Sequence, residues 1–206
     1  MKVVLINGSP HPKGCTYTAL KEVADALERN GVESEILQLG ARGVPGCIGC
    51  YSCQKTGRCA MDDQVNRLVE RLDEIDGLVI GSPVYYSGPT GQIMSFMDRF
   101  CFVAGSRLWG KPAAAVVSCR RGGATASFQQ LNQFFTMNNM PVVSSQYWNQ
   151  VHGFTPDDVR QDLEGMQTMR TLGNNMAWLL KCIELGKKHG IMYPENEPVV
   201  LTHFIR

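Results

Sequence analysis

Four cysteines stand within thirteen residues, in the run Cys47-Ile-Gly-Cys50-Tyr-Ser-Cys53-Gln-Lys-Thr-Gly-Arg-Cys59, or C-x2-C-x2-C-x5-C. Thiolates are soft ligands for iron and zinc, and they are also the reactive form of the side chain in redox chemistry. Three of them at two-residue intervals on a tight loop can reach three corners of an iron–sulfur cubane. Cys59, set off by the flexible Gly57, can reach the fourth. Zinc knuckles use two C-x-x-C pairs with a longer spacer, so zinc fits this spacing less well. Reduced, unliganded thiols are the third reading, because a disulfide framework does not persist in the reducing cytosol expected for this chain. Cys101, Cys119 and Cys182 read as small buried apolar residues. His11, His152, His189 and His203 are scattered without ligand spacing and read as structural or surface residues.

Three further segments carry chemistry. Gly8-Ser9-Pro10-His11-Pro12-Lys13-Gly14-Cys15-Thr16 offers hydroxyls at Ser9 and Thr16, a cation at Lys13 and the free amides of a helix start. That combination suits a phosphate, since orphan amides and the helix dipole both favour an anion. The spacing matches neither a Walker loop nor a G-x-G-x-x-G fingerprint, and an ordinary strand-to-helix turn is the alternative. The second segment is Gly81-Ser82-Pro83-Val84-Tyr85-Tyr86-Ser87-Gly88-Pro89-Thr90-Gly91. Two adjacent aromatics between Pro and Gly cannot both point into a core. One is expected at a crevice, where it can flank a planar ring, or at a sheet edge or subunit contact. The third is Ser118-Cys119-Arg120-Arg121-Gly122-Gly123, whose paired glycines permit close backbone approach to a ligand, while the Arg pair reads equally as solvated surface charge.

The elements that must position these loops follow from periodicity. Lys2–Asn7 is a continuous aliphatic run and reads as a strand buried on both faces. Apolar residues at helical spacing predict a helix over 16–30, and alternation predicts a second strand over 32–39. Residues 40–61 read as a long Gly- and Cys-rich loop, and Asp62-Asp63 as the cap of a helix reaching about residue 76. Strands are expected at 77–81, 112–118 and 141–143, and helices at 92–103 and 124–138. A long helical stretch over 156–188, broken at Gly165 or Gly173, begins a C-terminal helical extension spanning 156–206. Strands and helices in strict alternation predict one α/β unit over 1–206, with a five-stranded parallel sheet and helices on both faces. Ligands of such sheets bind beyond the carboxyl ends of the strands, where the three segments would lie side by side. A phosphate site, an aromatic shelf and a Gly-rich edge together suit a phosphorylated planar cofactor, and FMN fits.

Composition narrows the class. The chain has 206 residues, of which 44% are apolar and 19% charged, so it can bury a sizeable core. A formal charge of +1 gives no electrostatic footprint for nucleic acid or an anionic membrane. No apolar run approaches the roughly 20 residues of a spanning helix, and the aliphatic start is too short for a signal peptide. A cytoplasmic protein is expected.

The combination of Gly8-Ser9-Pro10 with Gly14-Cys15-Thr16, then Gly81-Ser82-Pro83-Val84-Tyr85, then Gly91-Gln-Ile-Met-Ser-Phe-Met-Asp98-Arg99 resembles the NADPH-dependent FMN reductase-like flavoproteins of the flavodoxin fold. The cysteine run and the segment Asp162-Leu-Glu-Gly165…Leu172-Gly173-Asn-Asn-Met-Ala177 look like the iron-sulfur flavoprotein branch. The resemblance implies that Ser9, Lys13, Gly14, Cys15 and Thr16, with Pro10 and His11 in the same loop, hold the FMN phosphate. Pro83, Val84, Tyr85 and Tyr86 would line the flavin ring, with Ser118, Arg120 and Gly123 completing the site. It also implies a [4Fe–4S] cluster on Cys47, Cys50, Cys53 and Cys59. Cys15 stands where relatives usually carry Asn and His11 where many carry Arg, so backbone amides would serve the phosphate there.

Two functions follow as expectations. One is an FMN-dependent oxidoreductase passing electrons from NAD(P)H or ferredoxin to a small acceptor such as a quinone or a flavin. The other is an iron-sulfur flavoprotein carrying electrons between protein partners; behind both stands a flavin-free α/β domain whose cysteine loop is a structural zinc clip. In either, the flavin does the chemistry and no protein acid, base or nucleophile is named as catalytic. Tyr85, Tyr86 and the Phe96–Phe102 stretch offer aromatic surface that predicts a homodimer or homotetramer.

Overall fold

Aliphatic runs flanked by helices on both sides have two faces to bury, and the computed structural model, which describes residues 1–204, shows how they do so. The strands are β1 (Lys2–Asn7), β2 (Glu33–Gln38), β3 (Gly77–Pro83), β4 (Ala113–Cys119) and β5 (Gln150–His152). They pair in parallel in the order β2-β1-β3-β4-β5. The helices are α1 (Cys15–Arg29), α2 (Ser52–Thr56), α3 (Gln64–Glu70), α4 (Gly91–Ala104), α5 (Ala124–Met137), α6 (Pro156–Gln161) and α7 (Leu163–Lys188).

Alternate strand residues feed two separate cores. Val4, Ile6, Leu78, Ile80, Ala115 and Val117 pack beneath α3, α4 and α5. Val3, Leu5, Val79, Ala114 and Val116 pack beneath α1 and α7. Burial on both faces is why these strands read as unbroken aliphatic runs. The exposed edge, β2, carries charges instead. Glu35 accepts from Arg71 and pairs with Lys2, and charged side chains on an edge discourage pairing with another chain.

Five expectations need correction. Residues 141–143 are not the fifth strand. They meet β4 only through a single bridge at Ala113–Val142, and the chain is then drawn toward α7 by Ser145 Oγ donating to the Thr168 carbonyl and Asn175 Nδ2 donating to that of Ser144. The fifth strand forms later, at Gln150–His152. The long helix breaks at Asp162 and not at either glycine. The Asp162 carboxylate accepts from the His152 amide at 2.7 Å and caps α7 through the Gly165 amide at 2.9 Å. The helix expected over 62–76 ends at Glu70 and is followed by a separate 3-10 turn, Leu72–Glu74. The 40–61 loop contains the short helix α2. The extension from 156 is helical only to Lys188, residues 189–204 form no regular element, and 205–206 lie outside the described residues.

Gly173 shows why glycine persists inside α7. A Cβ there would lie 2.6 Å from Ala26 Cβ and 2.7 Å from the Val23 carbonyl oxygen, so the glycine lets α7 approach the backbone of α1. Gly173→Ala gains helix propensity but forces the two helices apart, and a net loss of about 1–3 kcal/mol is expected by urea denaturation. A second expectation concerns acid. Arg71, and after it Lys2, hold the Glu35 carboxyl at about 2 against the opposing effect of partial burial. Because the folded value lies below the unfolded one, this contribution is complete above the ordinary glutamate range and is lost as pH falls toward 2. Glu35→Gln should flatten that part of the stability-versus-pH curve.

Candidate functional site

The strand order reverses between β1 and β3, and sheets of this order open their ligand crevice there, beyond the carboxyl strand ends. The three chemistry-bearing loops follow β1, β3 and β4, and the structure brings them together. The Gly8 amide donates to the Gly81 carbonyl at 2.8 Å. A Cβ at Gly8 would fall 2.7 Å from Ile93 Cβ and 2.9 Å from that carbonyl oxygen, so only glycine allows this approach. The Val84 amide donates to the Ser118 carbonyl at 3.0 Å. Gly123 has a φ of +88°, and a Cβ there would meet Val84 Cγ1 at 2.7 Å and Ser87 Cα at 2.8 Å.

In the first loop, Ser9 is buried, and its hydroxyl accepts from the His11 amide at 3.1 Å. Pro10 is half-buried, whereas His11 and Lys13 are exposed. Gly14 is the N-cap of α1 and supplies no side-chain acceptor, so the helix begins without a side-chain cap. The helices α3, α4, α6 and α7 each start on a capping side chain: Asp63, Thr90, Thr155 and Asp162. An uncapped helix start beside an exposed lysine is suited to an anion. Cys15 lies half-buried with Sγ 3.9 Å from the Gly153 carbonyl oxygen, and burial pushes its thiol up. The Thr16 hydroxyl is buried and bonded to Ser118 Oγ at 2.8 Å, which ties the first loop to the third.

In the second loop, Pro83 and Val84 are half-buried while Tyr85 and Tyr86 face solvent, Tyr86 completely. Tyr85 and Gly88 exchange backbone bonds of 2.8 and 3.0 Å across a tight turn whose central residues, Tyr86 and Ser87, have φ of +50° and +62°. Two consecutive left-handed residues without glycine or asparagine hold the tyrosine ring out as a shelf beside the crevice, at a cost of about 1–2 kcal/mol each. Arg120 is exposed and Gly123 half-buried at the start of α5. An exposed cation, an uncapped helix start and an outward aromatic ring match the anionic tail and planar ring of FMN.

Several residues that hold the loops escaped the sequence reading. Asn7 Nδ2 donates to Gln38 Oε1 at 2.6 Å, Asn7 Oδ1 accepts from the Ser9 amide, and Gln38 Nε2 donates to the Ser9 carbonyl. Thr90 Oγ1 donates to the Gly8 carbonyl at 2.8 Å, and Gln92 Nε2 bridges the Gly8 and Gly40 carbonyls. Thr90 just before a helical run is a visible N-cap pattern. The long-range partners of Asn7 and Gln92 leave no local signal.

The cysteine segment forms a second centre against α4. Cys47, Cys50, Cys53 and Cys59 line one depression with Ile48, Tyr51 and Phe102. Cys47 and Cys50 are exposed, Cys53 and Cys59 half-buried. Tyr51, in the left-handed region, and Gly57, which ends α2, turn the segment, while the Tyr51 and Phe102 rings meet edge-on at 6.0 Å. Asn66 clasps Cys59, accepting from its amide at 2.8 Å and donating to its carbonyl at 3.0 Å. Among the described residues no group of three or more His, Cys, Asp or Glu side chains converges to hold a metal ion. The donor set, four thiols of one loop around one depression, fits a cluster chemically, because a cluster presents a separate iron to each sulfur. Burial pushes the Cys53 thiol up, and Cys101, buried on α4, is pushed up to about 12. Cys119 is buried as expected, whereas Cys182 is exposed on α7.

Fold and crevice together define a flavodoxin-like α/β protein. An archaeal flavodoxin superposes with a TM-score of 0.60 at 15% identity, over 88% of this chain and 99% of that one. RosB, solved with 8-demethyl-8-formylriboflavin-5'-phosphate, superposes with a TM-score of 0.71 at 14% identity, over 100% and 96% of the two chains. The model of the NADPH-dependent FMN reductase family matches residues 1–155. An iron-sulfur flavoprotein of Methanocaldococcus jannaschii is 34% identical over 89% of this chain and 100% of its own length. The chain belongs to the NADPH-dependent FMN reductase family, within its iron-sulfur flavoprotein branch. No helix among the described residues is long and apolar enough to cross a membrane.

The Thr16–Ser118 bond generates a direct test of loop coupling. Ser118→Ala or Thr16→Val alone leaves a buried hydroxyl without its partner, at about 1–3 kcal/mol. The double variant should lose less than the sum, with a coupling of about 1 kcal/mol in a double-mutant cycle read by denaturation.

Proposed function

We propose that this chain is an FMN oxidoreductase that takes reducing equivalents from NAD(P)H or a ferredoxin and passes them to a small acceptor such as a quinone or a flavin. The observation that carries the reading is the convergence of three strand tips around the uncapped start of α1. FMN, when bound, supplies the hydride and electron chemistry. The chain's own residues bind and orient it. The amides around Gly14, Cys15 and Thr16, with Lys13 and His11 nearby, would hold the phosphate, while Ser9 and Pro10 shape the loop. Pro83, Val84, Tyr85 and Tyr86 would flank the ring, with the backbone at Ser118 and Gly123 and the Arg120 cation at the third edge.

The four cysteines support a second reading on the same scaffold, a one-electron carrier between protein partners. In it, Cys47, Cys50, Cys53 and Cys59 would ligate a [4Fe–4S] cluster that supplies the one-electron side. The iron-sulfur flavoprotein names of the relatives and the depression that the four cysteines share support the cluster. The exposed aromatics Tyr51, Tyr85, Tyr86 and Phe102 support a homodimer or homotetramer, whereas Phe96 and Phe100 are spent in the core. We place the working protein in the cytoplasm, as one FMN-binding unit.

The test is an anaerobic absorption spectrum with flavin and iron quantitation. Stoichiometric FMN is expected, and protein that neither carries nor takes up FMN overturns the reading. Rapid NADPH oxidation without ferredoxin selects the enzyme; reduction only through ferredoxin selects the carrier. Because Tyr86 is fully exposed, Tyr86→Ala should change stability by no more than about 0.5 kcal/mol. The same change should raise the FMN Kd roughly fivefold to tenfold, as for loss of about 1 kcal/mol of ring contact, measured by fluorescence titration.

A further inference from the structure

Arg99 heads the fully buried side chains of the molecule, at 1% exposure on α4. Removing a guanidinium from water is costly unless its donors are matched, so its partners matter. Nη1 donates to Asp63 Oδ2 at 2.6 Å and to the Pro45 carbonyl at 3.3 Å. Nη2 donates to Asp63 Oδ1 and the Met61 carbonyl, both at 3.0 Å. The remaining bonds go to sulfur: Nε and Nη2 both address Cys59 Sγ, at 3.3 and 3.2 Å.

This arrangement exceeds what an ion pair requires. Asp63 alone balances the charge, and it is already anchored as the N-cap of α3. The fork also spans both ends of the cysteine segment, reaching Pro45 before Cys47 and Met61 after Cys59. Two charged N–H groups aimed at one thiol place a fixed positive charge against that sulfur. Hydrogen bonds to ligating sulfurs favour the more negative, reduced form of an iron–sulfur group and so raise its potential.

We propose that Arg99 is a positioning residue for Cys59, holding its sulfur at the end of the run and raising the reduction potential of the iron–sulfur group that the run binds. The proposal rests on the cluster reading given under Proposed function. Arg99 neither gains nor loses a proton or an electron; in the titration below, the electron comes from the added chemical reductant.

The experiment compares full-length wild type, Arg99→Gln, Arg99→Lys and Asp63→Asn after anaerobic reconstitution with iron and sulfide. Iron, sulfide and FMN are counted per chain, and the potential is read by EPR-monitored redox titration. In the iron-loaded fraction, Arg99→Gln should lower the equilibrium constant for reduction at least tenfold, about 59 mV for a one-electron couple. Arg99→Lys should shift it less, because a point charge can reach the sulfur without the planar fork. Asp63→Asn keeps the guanidinium and removes its counter-charge, so it should shift the potential upward even if Arg99→Gln fails to load iron. FMN content should hold in all four and reports that the fold survives. Reduced iron content with a wild-type potential in the loaded fraction of both Arg99→Gln and Asp63→Asn would mean a purely structural role and overturn the proposal, as would full loading with no shift. Wild type that binds FMN but no iron defeats the cluster reading itself, and this proposal with it, by a different readout.

Discussion

At the carboxyl end of the sheet, the tip of β1 lies against the tip of β3 because Gly8 has no side chain: its amide reaches the Gly81 carbonyl, and Ile93 fills the space a Cβ would need. The crevice depends on that approach. It aims the first loop into α1 and puts Thr90 and Gln92 within reach of the Gly8 carbonyl, so α4 starts beside the same point. The Thr16–Ser118 bond then draws in the tip of β4, and the close packing of Gly123 on Val84 and Ser87 sets the aromatic shelf. The site is therefore built from backbone proximity first and from side-chain chemistry second.

Strain and exposure are concentrated at the rim. Tyr86 and Ser87 hold left-handed conformations that neither residue favours, while the strands behind them are buried on both faces. A rigid double core tolerates such a turn, because two layers of packed side chains fix the ends of the loop. The two centres are also joined through one element. Helix α4 begins at the crevice with Thr90, carries Arg99 to the cysteine segment nine residues on, and presents Phe102 to Tyr51. A helix is a stiff connection, so the two sites keep a fixed relation within the chain.

Much of the fold was legible because its signals are local. Continuous aliphatic runs marked β1, β3 and β4, and Asp63 as a cap marked the start of α3. The errors fell where long-range bonds overrode local pattern. Pro141-Val142-Val143 has the composition of a strand, yet bonds from Ser145 and Asn175 pull the following residues to α7 and postpone β5. Gly165 and Gly173 look like breaks, but Asp162 accepts bonds that only the folded chain supplies, and Gly173 marks a close approach to α1. Thr16 and Ser118 were legible as polar residues at strand tips; that they bond to each other was not.

Residue types and spacing by themselves determined the alternating α/β order, the three loops that carry polar and aromatic groups, and the compact run of four thiols, because each is a property of neighbours along the chain. Tertiary structure alone decided which of those groups meet. The bond between Thr16 and Ser118, the close packing of Gly123 on Val84 and Ser87 and the clasp of Arg99 on Cys59, forty residues away, arise from contacts between distant segments. Such contacts follow from how two cores pack against one sheet, and no periodicity along the chain records them.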